Sequence, residues 1–171
     1  MAILILHLGS NLGNRQEKLN EAINFINKEV GFVFSQSSIY ETAVWLGDEQ
    51  DKMPEILRKQ APFLNMALQV ETLLEPINAL QLCLGIEDKL GRVRKQKWGP
   101  RRIDIDLIFY DDKIINTPKL IVPHPWMQYR RFVLMPLAEI IPEWVHPVLK
   151  QNVQDLLGTC EDEGVVRVLG C

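Results

Sequence analysis

The 171-residue sequence has few of the features that mark several large protein classes. Its three cysteines (Cys83, Cys160 and Cys171) are odd in number and show no CxxC or Cys/His spacing, so neither a disulfide framework nor a zinc site is expected. No apolar run approaches the roughly 18 residues that cross a bilayer, and the N-terminus lacks the basic start of a signal peptide. We therefore expect a cytoplasmic protein with reduced thiols.

The chain also has no excess of positive charge over negative charge. The formal net charge of -3 argues against a general binder of nucleic acid or membrane surfaces. The sequence contains no GxxxxGK[ST], GxGxxG, HExxH or GxSxG motif, so the common nucleotide-binding and hydrolase signatures are missing. With 47% hydrophobic and 24% charged residues, the chain reads as an ordinary globular protein, and residues 1–171 are predicted to form one domain.

The order of predicted elements indicates an α+β fold. Asn14 with Glu17 predicts a helix N-cap, while Pro76 and Gly91 bracket a second helix with Ile77, Leu80, Leu84 and Leu90 on its core face. Strands are predicted over 3–8, 32–40, 63–72, 103–110, 113–115 and 165–169, and a further helix over 132–140. This order favours a ferredoxin-like βαββαβ sheet with helices packed on one face and a C-terminal extension. Residues 43–62 are expected to form a long excursion.

Two aspartates stand two positions apart in the apolar run "RRIDIDLIFYDD". Alternate strand residues share a face, so Asp104 and Asp106 are predicted to lie about 7 Å apart, with Ile105, Leu107 and Phe109 facing the core. Two close anions favour a cation between them, and Mg²⁺ suits carboxylates that leave room for water and phosphate. From spacing alone, a solvated strand face or a salt-bridge cluster with the preceding arginines explains the pair equally well.

A basic loop runs directly into this strand. Six cations lie within eleven residues, namely Arg92, Arg94, Lys95, Lys97, Arg101 and Arg102. A basic run is usually a solvated face, but arginine matches phosphate oxygens, and cations beside a carboxylate pair are the two halves of a nucleoside-triphosphate site. The turn "GSNLGN" could offer backbone N–H groups to an anion, although a structural turn explains it at least as well. His7, inside the first strand, is predicted to be a satisfied core residue.

Motifs along nearly the whole chain resemble the 6-hydroxymethyl-7,8-dihydropterin pyrophosphokinase family of the folate pathway. They are "LGSNLGNR", "YET", "FLNMALQVET", "IEDKLGRVR", "WGPRRIDIDLIFYDD" and "VPHPWMQYRRFVLMPLAEIIPEWVHP". The resemblance implies a ferredoxin-like α+β fold. It also implies transfer of the β,γ-pyrophosphoryl group of ATP to the pterin hydroxymethyl oxygen, with AMP released.

The resemblance also implies site residues. Asp104 and Asp106 would hold two Mg²⁺ ions, and the catalytic set would be Arg92, Arg101, Asp104 and Asp106. The implied ATP contacts are Glu87, Arg92, Arg94, Arg101, His124 and Arg130. The implied pterin contacts are Thr42, Phe63, Asn65, Trp98, Asp104 and Phe132, in which the two phenylalanines sandwich the ring and Trp98 closes over it.

Two other interpretations compete with this one. A non-catalytic RNA-binding module is the first, because ferredoxin-like sheets often bind nucleic acid. A catalytically degenerate homologue is the second, although the intact set of arginines and aspartates argues against it. We expect a monomer that takes ATP and hydroxymethyldihydropterin as small-molecule substrates and binds neither nucleic acid nor membrane.

Overall fold

The computed structural model describes residues 1–45, 52, 54–91 and 99–170. In this part of the chain the helices are α1 (Arg15–Glu29), α2 (Glu55–Arg58), α3 (Pro76–Lys89), α4 (Arg131–Ile140) and α5 (Val153–Gly158). The strands are β1 (Ala2–Ser10), β2 (Phe32–Gln36), β3 (Tyr40–Thr42), β4 (Phe63–Thr72), β5 (Asp104–Tyr110), β6 (Ile115–Asn116), β7 (Ile121–Val122) and β8 (Val166–Val168). No helix among the described residues is both long and apolar enough to span a membrane.

Six of the strands form one antiparallel sheet in the order β5-β1-β4-β3-β8, and β2 also pairs with β4. The predicted α+β class is therefore confirmed. Local signals set several boundaries as expected: the Asn14 side chain accepts the Glu17 N–H at the start of α1, and Pro76 stands in the first turn of α3. Gly91, just past α3, has φ +83, a backbone conformation that suits glycine.

Helices cover both faces of the sheet, so the expectation of helices on one face was wrong. On one face, α1 and α3 bury Leu19, Ile26 and Ile86 against the sheet. On the other face, α4 and α5 bury Leu134 and Leu156. The sequence did not predict that α4 and α5 would cover the second face of the sheet. A sheet that is covered on both faces needs apolar side chains on both faces of its strands. In β5 this arrangement arises only through an irregularity.

That irregularity is a shift in register between β1 and β5. Ile5 lies opposite Phe109, but the next residue, Leu6, lies opposite Leu107, so Ile108 is an extra residue in β5. Phe109 is buried as predicted, but it consequently faces α5 and stacks on Trp144 at 5.8 Å instead of sharing a face with Ile105 and Leu107. One added residue reverses the facing of everything that follows it.

Three further expectations need correction. The predicted single strand over 32–40 is two strands, β2 and β3. The predicted return strand over 113–115 is β6, which pairs with β7 in a separate ribbon and not with β5. In α3 the buried residues include Ala79, Cys83 and Ile86, whereas Leu84 is only half-buried, because the face that meets the sheet is rotated from the leucine stripe.

Candidate active site

Strand register brings the site residues together on the face that α4 covers. Gly9 of β1 lies opposite Asp104 of β5 on one side and opposite Asn65 of β4 on the other. A Cβ atom at Gly9 would stand only 3.3 Å from Asn65 Oδ1 and 3.5 Å from the Phe63 ring. Across the three strands, a carboxylate, a glycine and an amide therefore stand side by side. Because the glycine has no side chain, a hollow lies between the two polar groups.

Aromatic side chains form the walls of the cavity above this hollow. The described residues that line it are His7, Gly9, Thr42, Ala43, Val44, Trp45, Phe63, Asn65, Gly99, Arg101, Asp104, Asp106, Arg130 and Phe132. The Trp45 and Phe132 ring centroids are 6.5 Å apart, and the Arg130 guanidinium lies 4.7 Å from the Trp45 centroid. Such a contact is a cation–π interaction, which suits a flat, partly polar ligand as a neighbour.

A buried amide gives this cavity its polar end. The Asn65 side chain is 1% exposed, and its Nδ2 donates to Thr42 Oγ1 at 2.8 Å. This bond fixes the amide orientation through a partner on the neighbouring strand β3. A fixed buried amide that still has hydrogen-bonding capacity can recognise the edge of an amide-bearing heterocycle.

The carboxylate pair lies at the other end of the cavity. Arg101 Nη1 forms a close ion pair with Asp104 Oδ2. Burial raises the pKa of Asp106, and the neighbouring Asp104 raises it further, while Arg130 and Arg101 oppose the shift. The two aspartates are thus held in an environment that disfavours two negative charges without additional positive charge.

The "GSNLGN" turn positions Arg101. Asn11, which is buried, accepts the Arg101 N–H through Oδ1 at 2.8 Å, and its own N–H donates to the Arg101 carbonyl at 3.0 Å. Ser10 Oγ donates to the Arg102 carbonyl at 2.5 Å. In the structure the turn is therefore bonded to the backbone that precedes β5, which supports the structural interpretation of the motif.

A second, more open cavity shares Arg101, Asp104 and Asp106 with the first. Its other lining residues include Leu80, Leu84, Glu87, Thr117, Ile121, His124 and Pro125. Glu87 is 1% exposed and accepts the Ile105 N–H through Oε1 at 2.7 Å, so its carboxylate supports the backbone between the two aspartates. Burial, and to a smaller extent the nearby Arg130, lower the pKa of His124 to about 4.

Metal binding at the carboxylates fits the residues that are present. Within the ranges that the structure describes, no group of three or more His, Cys, Asp and Glu side chains could hold a metal ion. Two carboxylates alone leave most of an octahedral shell open, which is how Mg²⁺ binds when water and substrate phosphates complete its coordination. The raised pKa of Asp106 also fits a cation site, because a divalent cation would relieve the repulsion between the Asp104 and Asp106 carboxylates.

Sequence reasoning missed two residues of this site. His7, expected to be satisfied in the core, lies on the cavity opposite Asp106, and its Nε2 has no hydrogen-bond partner among the described residues. Burial lowers the pKa of His7 to about 4, so the ring is neutral. Trp45 was missed because it follows β3 in a stretch without periodicity. A single polar residue within an apolar strand was the signal available for His7.

The structure gathers most of the predicted site residues and leaves three outside its described ranges. The first cavity holds Thr42, Phe63, Asn65, Arg101, Asp104, Asp106, Arg130 and Phe132, and the second holds Glu87 and His124. The three outside are Arg92, Arg94 and Trp98.

Comparison with known proteins agrees with this geometry. The 7,8-dihydro-6-hydroxymethylpterin-pyrophosphokinase (HPPK) family model matches residues 5–142. The chain is 37% identical to the 2-amino-4-hydroxy-6-hydroxymethyldihydropteridine pyrophosphokinase of Methylorubrum extorquens, covering 95% of this chain and 96% of that protein. It is 42% identical to the protein of the same name from Bacillus subtilis, covering 81% of this chain and 77% of that protein.

Longer proteins contain a similar region. The chain matches 21% of the length of the folic acid synthesis protein fol1 of Schizosaccharomyces pombe, at 35% identity over 95% of this chain. Among solved structures, wild-type Plasmodium falciparum HPPK-DHPS with pteroate superposes with a TM-score of 0.72 at 18% identity, covering 92% of this chain and 42% of that one. This likeness supports the fold. From the family-model match and the full-length relatives, the chain belongs to the 7,8-dihydro-6-hydroxymethylpterin-pyrophosphokinase family.

Proposed function

We propose that the chain transfers the β,γ-pyrophosphoryl group of ATP to the hydroxymethyl oxygen of 6-hydroxymethyl-7,8-dihydropterin, giving AMP and the pterin diphosphate in folate biosynthesis. One observation carries the proposal: two cavities of different chemistry meet at Asp104, Asp106 and Arg101. A reaction between two substrates needs their reacting atoms brought together, and positioning accounts for much of catalysis in phosphoryl transfer.

The first cavity takes the pterin. Phe63 and Phe132 would hold the flat ring, while Asn65, oriented by Thr42, reads its amide edge. Asp104 at the far end would accept a hydrogen bond from the hydroxymethyl O–H and so orient its oxygen. We include Trp98 as a residue that closes over the ring.

The second cavity takes ATP. Glu87 and His124 line it, and Arg101 and Arg130 stand near the shared carboxylates, where the phosphates would lie. We propose Arg92 and Arg94 as additional phosphate contacts. Guanidinium groups stabilise the negative charge that shifts toward the leaving AMP as the bond between the α- and β-phosphates breaks.

Asp104 and Asp106 would hold Mg²⁺, two ions in the full complex. When bound, Mg²⁺ neutralises triphosphate charge and polarises the phosphorus that is attacked. The remaining chemistry belongs to the protein: it aligns the hydroxyl with the phosphate, excludes water through the aromatic walls and supplies positive charge. The nucleophile is the substrate hydroxyl, so no covalent intermediate with the protein is required.

We also propose a ferredoxin-like core. The order β1-α1-β2/β3-β4-α3-β5 follows the βαββαβ pattern, and the sheet order β5-β1-β4-β3 agrees with it. The elements after β5 then form a C-terminal extension. We propose one domain over 1–171, supported by the pairing of β8 with β3, which joins the C-terminal segment to the main sheet. A cytoplasmic monomer remains our proposal, and light scattering would measure its mass.

The test is product analysis with ATP, Mg²⁺ and hydroxymethyldihydropterin. We expect AMP and pterin diphosphate in equal amounts, with turnover lost on addition of EDTA and restored by excess Mg²⁺. Release of ADP, or no turnover with the pterin present, would refute the proposal. A gel shift with labelled RNA at low and moderate salt tests the alternative, which is disfavoured because α4 and α5 cover the sheet face that such a module would expose.

A further inference from the structure

The C-terminal strap, residues 159–169, lies beyond the residues that the family model matches. The strap contacts two of the elements that line the first cavity. These are β3, which carries Thr42, and the beginning of α4, which carries Arg130 and Phe132. Nothing in the proposed reaction requires the strap itself, so its double attachment needs a separate explanation.

The first attachment is a strand pairing. β8 of the strap runs antiparallel to β3, with Val166 opposite Thr42, and Leu169 N–H donates to the Ile39 carbonyl at 2.7 Å. β3 has only three residues, and β4 pairs with its other edge. The strap therefore completes the hydrogen bonding of the short strand that presents Thr42 to Asn65.

The second attachment caps a helix from a distance. Asp162 Oδ2 accepts the Arg131 N–H, the first N–H of α4, at 2.9 Å, and Oδ1 accepts the Gly164 N–H at 2.9 Å. At the N-cap position itself, Arg130 makes no side-chain capping bond within the described residues. A carboxylate at this end satisfies a free N–H and also interacts favourably with the helix dipole.

We propose that the C-terminal strap is a positioning element of the pterin cavity. Asp162 fixes the start of α4, and with it Phe132, while β8 fixes β3, and with it Thr42. Loosening the Asp162 attachment lets Phe132 shift from its place in the cavity, and loosening the β8 attachment lets Thr42 shift. Both attachments fix residues of the pterin cavity, whereas only the Asp162 attachment reaches a proposed ATP contact, Arg130, so loosening affects the pterin more than ATP. This inference rests on the proposed function and adds to it a role for the C-terminal strap in binding the pterin.

Asp162→Ala is the principal test variant, measured in the full-length chain. We expect the pterin KM and the Kd for pterin, measured with a non-hydrolysable ATP analogue present, to rise about five- to tenfold, as for a lost helix cap. The ATP KM should rise less than the pterin KM, because Arg130 is only one of several proposed ATP contacts. Asp162→Asn keeps an acceptor oxygen and restores most of the affinity.

Glu163→Ala is the matched control, because Glu163 is exposed, adjacent and makes no hydrogen bond or ion pair within the described residues. It should bind both substrates as wild type does. A thermal melt of each variant separates positioning from simple stability. A lowered Tm for Asp162→Ala with unchanged pterin affinity, or equal losses for both substrates, would overturn the inference.

A second pair of variants tests β8. The bond between Leu169 and Ile39, with the alternation of antiparallel pairs, makes Arg167 and Glu41 the next hydrogen-bonded pair. Arg167→Pro removes that donor, and Arg167→Ala keeps it. We expect a raised pterin KM only in the proline variant. Equal pterin KM values in the two variants would count against a positioning role for β8. If the proline variant does not fold, the Asp162 variants decide the question. Failure of the wild-type chain to release AMP would instead refute the proposed function.

Discussion

Replacing Asp106 by Asn is expected to stabilise the protein and to abolish its activity. The two carboxylates stand about 7 Å apart by strand rise. At an effective dielectric constant near 20, two unit charges at that distance repel by about 2 kcal/mol. The net effect on Asp106 is unfavourable, because burial and Asp104 raise its pKa against the opposing attraction of Arg130 and Arg101.

The amide variant removes one charge and keeps the shape. After the lost attraction to the arginines is subtracted, we expect a gain of about 1 kcal/mol, which corresponds to a Tm higher by about 2 to 4 °C for a chain of this size. Turnover should fall on the order of 10³-fold, since one ligand of the proposed cation site is lost. Such a gain in stability with a loss of function is typical of a site that holds like charges for its ligand.

Asp112→Asn is the matched control, because it makes the same change of charge at an exposed position in the turn after β5. The assay is AMP release at saturating substrates, combined with thermal melts with and without Mg²⁺ and a non-hydrolysable ATP analogue. Wild type and Asp112→Asn should gain stability with the ligands, by about 2.7 kcal/mol at a hundredfold excess over Kd, whereas Asp106→Asn should gain less. A folded Asp106→Asn variant that is clearly less stable than wild type, or that keeps a tenth of its turnover, would refute this reasoning.

Three further predictions follow from single contacts. Gly9→Ala places a methyl group 3.3 Å from Asn65 Oδ1, so isothermal titration should show pterin binding at least tenfold weaker while ATP binding stays near wild type. Burial raises the pKa of Glu139, but hydrogen bonds, chiefly from Tyr40, bring it below its usual value. Glu139→Gln should therefore lose about 1 kcal/mol in urea unfolding at pH 7. The difference should shrink as the pH falls through the lowered pKa of the wild-type carboxylate, where that stabilisation is lost. Burial raises the pKa of Cys83 to about 12, so iodoacetamide at pH 8 should label it only after denaturant is added, as peptide mass spectrometry would show.

Local signals were sufficient where the sequence itself contains the determinant. The strand predicted over 63–72 is β4 to the residue, because its alternation is bounded by Pro62 before it and by Pro76 shortly after it. The start of α1 follows from the Asn14 cap. The carboxylate pair was found because two-residue spacing in a strand fixes a shared face wherever no bulge intervenes.

Long-range determinants were beyond the sequence. The bulge at Ile108 depends on the register between β1 and β5, which are about a hundred residues apart, and it alone decides that Phe109 supports α5. Trp45 joins the site through its contact with Phe132, a partner 87 positions away along the numbering of the chain. Neither Ile108 nor Trp45 has a local sequence pattern that indicates these contacts.

The first glycine of "LGSNLGN" shows how local and long-range terms combine in this site. On sequence grounds Gly9 is a turn residue at the end of a strand, yet it lies within β1 and pairs on both sides. Its function in the fold comes from its neighbours: Asp104 and Asn65 flank it, so the absence of a side chain becomes a hollow between a carboxylate and an amide. Two residues later Asn11 holds Arg101 beside that carboxylate. This short segment therefore shapes the hollow of the first cavity and positions a cation beside the shared carboxylates, although the proposed reaction needs none of its own side chains to react.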